Sequence, residues 1–131
     1  MPLDGKLYTE QIEQNDPVLA ILEGGLARVK AGYSPGSYSR RRLFGKGRLF
    51  CMAGAIDYTD DGKRVWNQVD ARNEARHCLS ACIGGRDLVD FGSKPLIFGT
   101  KQKVVRAYQE AIATRRRALL VAHGVEKIDA V

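Results

Sequence analysis

The sequence predicts an all-α fold: a single domain of four to five helices with a minor β-hairpin or glycine loop near 42–50. Three observations carry that expectation. Apolar residues recur at helical spacing in two long stretches, 18–29 and 104–112. Asp16-Pro17, Ser34-Pro35 and Thr100 stand where helices would open, and Gly32, Gly84-Gly85 and Gly124 where they would close. The 131 residues, 44% hydrophobic and 27% charged, have an ordinary globular composition and enough length to bury one core without disulfides or metal.

Residues 1–15 are polar and aperiodic, so a loosely ordered arm is expected there, and they lack the apolar run of a signal peptide. A helical core domain over 16–114 follows. Asp16 caps and Pro17 opens its first helix, whose stripe Val18, Leu19, Leu22, Leu26 and Val29 runs on to Gly32. Gly24 and Gly25 each cost a helix about 1 kcal/mol relative to Ala, so they mark a kink or a close helix crossing. Ser34-Pro35 predicts a short second helix to about Arg42, placing Arg40, Arg41 and Arg42 at a C-terminal end that favours cations. Arg42-Leu43-Phe44 and Arg48-Leu49-Phe50 then flank Gly45-Lys46-Gly47, the pattern of a small hairpin that must lean on the helices.

Cys51 to Ile56 is small and apolar and predicts a short buried helix before the turn Thr59-Asp60-Asp61-Gly62. The stretch from Lys63 to Val69, with the only tryptophan, Trp66, matches no period. Asp70 or Asn67 is the expected cap of a helix carrying Ala71, Ala75, Cys78, Leu79 and Cys82, stopped by Gly84-Gly85. Residues 86–99 read as a loop, and Thr100 caps a last helix with Val104, Val105, Tyr108, Ala111 and Ile112 as its stripe. On a helical wheel Arg115 lies within about 20° of Tyr108, so a straight helix would aim an arginine at the core. Core contact is therefore expected to end near Thr114, leaving 115–131 as a C-terminal helical extension and tail with a second apolar patch at 118–122.

The order of helix, Gly32-Tyr33, Ser34-x-Gly36-x-Tyr38, a glycine turn and Cys51-x-x-Gly54-Ala55-Ile56, before an alanine-rich helix and a final helix, resembles a family of small bacterial all-helical proteins. That family typically shows Gly-Trp-Thr-x-Gly followed by Cys-x-x-Gly-Ala-Leu, and Tyr33 stands here for its tryptophan. The resemblance spans about residues 17–114. It implies an all-helical fold and supplies no site, because no reaction or ligand is attached to the family.

Net charge is +6, yet its distribution is uneven. Residues 28–48 carry +7 and residues 101–117 carry +5, so the remainder of the chain is −6. These two basic stretches hold the candidate partner or polyanion contacts Arg40, Arg41, Arg42, Lys46, Arg48, Arg115, Arg116 and Arg117. Leu119, Leu120 and Val121 behind them are a candidate interface between copies or with a partner helix.

Catalytic and metal readings fail on geometry or residue type. Cys51, His77, Cys78 and Cys82 invite a zinc reading, but on one helix Cys78 and Cys82 share the apolar face while His77 points away from it. The same divergence of 77 and 78 opposes a cysteine nucleophile with a histidine base. Gly45-Lys46-Gly47 lacks the earlier glycine and the following Ser or Thr of a phosphate loop, and Asp90-Phe91-Gly92 lacks every other part of a kinase. Asp57, Asp60 and Asp61 read as a solvated turn. No catalytic, cofactor-binding or metal-ligating residue is assigned. Three cysteines without paired spacing fit a reducing cytoplasm, and no stretch of about eighteen apolar residues suggests a membrane span. The function expected is a non-enzymatic cytoplasmic protein-interaction module with a protein partner or a second copy of itself; the alternative is a nucleic-acid-binding protein using 28–48 and 101–117.

Overall fold

A computed structural model describes residues 5–34, 39–41, 47–88, 91 and 100–122. The fold is all-α with a minor β element: α1 (Gly5–Gln14), α2 (Pro17–Ala31), β1 (Ser39–Arg41), β2 (Arg48–Phe50), α3 (Gly54–Asp57), α4 (Val69–Cys82) and α5 (Lys101–Ala122). Helices α2, α4 and α5 pack on one another in all three pairings, and α3 is set against α2 and α4.

α2 begins as its sequence dictates. Asp16 is its cap in extended conformation, its side chain accepting from the Leu19 N–H at 2.9 Å, with proline in the first turn. Val18, Leu19, Leu22, Gly25 and Val29 are buried. Gly25 marks a close crossing: a Cβ there would lie 2.6 Å from Cε1 of Tyr108, the largest fully buried side chain. That phenol crosses over α2 and donates to the Met52 carbonyl at 2.6 Å, and burial pushes its pKa well above the ordinary value. One tyrosine thus joins α5, α2 and the turn before α3.

The segment expected as an arm contains a helix. α1 packs on α5 and α2, and Ile12 is buried. Among the described side chains, Ile12 and the Glu13–Arg116 ion pair hold α1, too few positions to show a period. Of the short helix expected from Pro35 to Arg42, residues 35–38 lie outside the described residues and Ser39–Arg41 are strand, paired antiparallel with β2 as Ser39 with Phe50, Arg40 with Leu49 and Arg41 with Arg48. Arg42 and the Gly45-Lys46 tip lie outside the described residues. The hairpin does lean on a helix end: Phe50 N–H donates to the Gly32 carbonyl at 2.9 Å, and Ser34 N–H to the Phe50 carbonyl at 3.0 Å. Phe50 is buried as a result.

Neither Asp70 nor Asn67 caps α4. Gln68 holds that position in left-handed conformation with φ 53°, and the Asn67 Oδ1 accepts instead from Arg72 at 3.3 Å. Gly84 and Gly85, both at positive φ, end α4 as expected. Thr100 opens α5, its hydroxyl accepting from the Lys103 N–H at 3.3 Å. α5 runs unbroken to Ala122, and Leu119 packs against the core beyond the point near Thr114 where core contact was expected to end. An arginine aimed at the core is tolerated because a carboxylate waits there: Arg115 donates to both oxygens of Asp16. Residues 123–131 lie outside the described residues. No helix among the described residues is long and apolar enough to cross a membrane.

Candidate functional site

Among the described residues, the basic side chains singled out in the sequence do not converge. Arg115 is paired with Asp16, and Arg116 with Glu13 at 3.0 Å and Glu23 at 3.0 Å, so these two guanidinium groups sit on the protein's own acids. Arg117 is exposed on the same helix. On the hairpin, Arg41 is exposed, whereas Arg48 donates to the Ser39 hydroxyl at 2.8 Å and lies over Gly62. Arg40 lies on β1, while Lys46 and Arg42 are outside the described residues. Of the candidate interface residues, Leu119 packs against the core, Leu120 is half-buried and Val121 is exposed.

A different group of residues does converge. The turn 59–62 closes with Gly62 at φ +83° and an antiparallel bridge between Tyr58 and Arg64, and the Val65 N–H donates to the Asp57 carbonyl at 2.7 Å. Those contacts lay the 64–66 segment beside α4. Trp66 stands 75% exposed, with the Arg64 guanidinium 4.6 Å from its ring centroid, and Val69 beside it is 56% exposed. Together with Val65, Arg72 and Arg76 they line a shallow groove of about 230 Å³.

Beneath the groove lies Asp57. It is buried at the end of α3, contrary to the solvated turn expected for it, and it faces two arginines of α4. Arg76 donates from Nη2 to Oδ2, while Arg72, itself buried, places Nε 3.8 Å from Oδ1. Oδ1 takes no hydrogen bond among the described residues. Arg76 is further fixed by donating to the Asn73 Oδ1 at 2.8 Å. Adjoining the groove, and sharing Asp57, Arg64, Asn73 and Arg76 with it, a cleft of about 400 Å³ opens between α4 and residues 86–88.

Cys51 is buried, and Cys78 and Cys82 are half-buried; burial pushes all three thiols above their ordinary pKa, the reverse of what a nucleophile needs. His77 is exposed and lines the cleft with Arg76.

The residues of this site carried a readable signal. Arg72 sits on the same stripe as Ala75 and Leu79, so it demanded a buried acid by the reasoning applied to Arg115. No family model, curated protein or solved structure matches the chain.

Proposed function

We propose that this protein is a non-enzymatic interaction module whose contact surface is the Trp66 groove, and that its partner is a protein presenting an apolar side chain among acidic ones. One observation carries the reading: the only tryptophan in the chain is held out of the core, 75% exposed, beside an exposed valine and under an arginine. Tryptophan and arginine are the residues in which binding energy concentrates at interfaces, and Arg64 and Arg76 at the groove favour carboxylates around an apolar anchor. A reducing cytoplasm belongs to the same proposal, supported by three unpaired cysteines, as does kinship with the small bacterial helical proteins the sequence resembles.

The test is affinity capture with the full chain and with its Trp66→Ala and Val69→Asp variants at low and high salt. A protein retained by the wild type, lost by both variants and released by salt supports the proposal. Equal retention by all three chains overturns it.

Nucleic-acid binding is a second reading, supported by the hairpin register. Arg41 faces Arg48 directly across the strands, an arrangement of like charges that costs stability and that a phosphate backbone would relieve. Binding to single- and double-stranded DNA and RNA over a salt series tests it: no affinity at low salt removes the reading.

A further inference from the structure

We infer that the cleft between α4 and residues 86–88 is a binding site for a small organic phosphate. Charge around Asp57 is unbalanced. Arg72 and Arg76 share one carboxylate, Asp57, and it is the only acid paired with either among the described residues. Asp57 and Arg72 have side chains 4% and 6% exposed, whereas Arg76 is 33% exposed and is the one of the two arginines that lines the cleft, so the extra positive charge of the cluster is presented there through Arg76. An anion is the partner such a cluster lacks.

The cleft supplies what holds one. Arg76 reaches it with two of its five N–H donors already committed, to Asp57 and to Asn73, which fixes the plane of its guanidinium. Arg64 and Arg86 line the same space, the first from the 64–66 segment and the second from beyond the end of α4. Three guanidinium groups around one cleft match the several oxygens of a phosphate better than the two of a carboxylate. Among the described residues the lining sets Arg64, Arg76 and Arg86 against Asp57 and Asp87, and Arg86 is held in place by donating to the Ile83 carbonyl at 2.9 Å. Ala53 and Leu88 give it an apolar floor, and its volume of about 400 Å³ far exceeds a bare ion and suits a small phosphomonoester.

Arg64 also provides a reporter, because it both lines the cleft and stacks on the only tryptophan. Phosphate drawn in beside Arg64 alters the emission of Trp66. The cleft shares Arg64 and Arg76 with the proposed protein contact but not Trp66, so Trp66→Ala removes that contact and leaves phosphate binding in place.

The experiment titrates the full chain with inorganic phosphate and with glycerol 3-phosphate at constant ionic strength, followed by calorimetry and by Trp66 fluorescence. Saturable binding is expected, tighter for glycerol 3-phosphate. Arg64→Gln and Arg86→Gln, both at exposed positions, each weaken binding by roughly tenfold or more, while Arg117→Gln leaves it within about twofold. Circular dichroism confirms that the variants are folded. The inference is overturned by no saturable heat up to about 10 mM ligand. It is equally overturned if acetate binds as well as phosphate, or if folded Arg64→Gln and Arg86→Gln bind like the wild type.

Discussion

Asp16 and Arg115, 99 positions apart in the chain, are joined by two hydrogen bonds of 2.9 Å, one to each carboxylate oxygen. Oδ2 of the same carboxylate accepts from the Leu19 N–H at 2.9 Å, so one side chain both opens α2 and anchors α5. The two duties can be separated by substitution. Asp16→Ser keeps an N-cap and loses the ion pair, whereas Asp16→Ala loses both. Asp16→Ala should cost about 1 kcal/mol more than Asp16→Ser, the usual worth of a cap, as read from urea denaturation. Equal losses would show that the serine does not cap.

The same pair gives acid sensitivity. The bond from Arg115 holds the Asp16 carboxyl below its ordinary value of 3.8. A group whose folded pKa is depressed contributes its stability in full above its unfolded pKa and loses it as pH falls through the folded one. Wild type should therefore exceed Asp16→Asn in stability at about pH 5 and above, and the gap should narrow progressively toward about pH 2. Denaturation midpoints measured for both chains across that range check it. A gap independent of pH would mean that the carboxylate's charge contributes nothing.

Gly24 and Gly25 are neighbours on α2 with opposite expected responses. Alanine gains about 1 kcal/mol over glycine in a helix interior. At Gly24 a Cβ meets only the end of the Arg28 side chain, at 3.2 Å, so Gly24→Ala should lie within about 1 kcal/mol of wild type. At Gly25 it would sit 2.6 Å from the fully buried Tyr108 ring, and overpacking of this kind costs about 1–3 kcal/mol or more. Thermal melts of the two variants should separate them clearly, with Gly25→Ala the lower.

Asp57 is the single carboxylate between two arginines. Asp57→Asn leaves Arg72 buried without its charge partner, a change that costs about 3–5 kcal/mol in comparable buried pairs. Adding Arg72→Met to Asp57→Asn removes the stranded charge and should recover part of that loss. A double variant less stable than Asp57→Asn alone would argue that Arg72 is held by packing and by Asn67, with Asp57 incidental.

Much of the helical frame was written locally. α2 and α5 combine a cap, a stripe and a stop within one stretch of chain, and the buried residues of α5, Val104, Ala107, Tyr108, Ala111 and Ile112, are nearly those its spacing names. α1 was hidden because its described burial comes down to Ile12. β1 was hidden because strand at Arg40 and Arg41 depends on pairing with Leu49 and Arg48, and on a Gly32–Phe50 bond that no local pattern announces. The wheel correctly aimed Arg115 at the core, but the inference that the helix must leave there ignored Asp16, an acid already accounted for as a cap. The arginine cluster failed in the same way: Arg72 was visible on the stripe, whereas Asp57 answers it from another helix. Nothing in a composition distinguishes a tryptophan held out in solvent from one that fills a core, so Trp66 needed coordinates.

The pairing of α2 with α5 also sets an order of events during synthesis. Lys101, at the start of α5, donates to the carbonyl of Lys30, 71 positions earlier, and the Arg115 contact to Asp16 comes later still. The stripe of α2 therefore emerges from the ribosome long before the surface that covers it. A nascent chain halted before α5 carries Leu19, Leu22 and Val29 without that cover, and should be the form most readily bound by chaperones and cut by proteases.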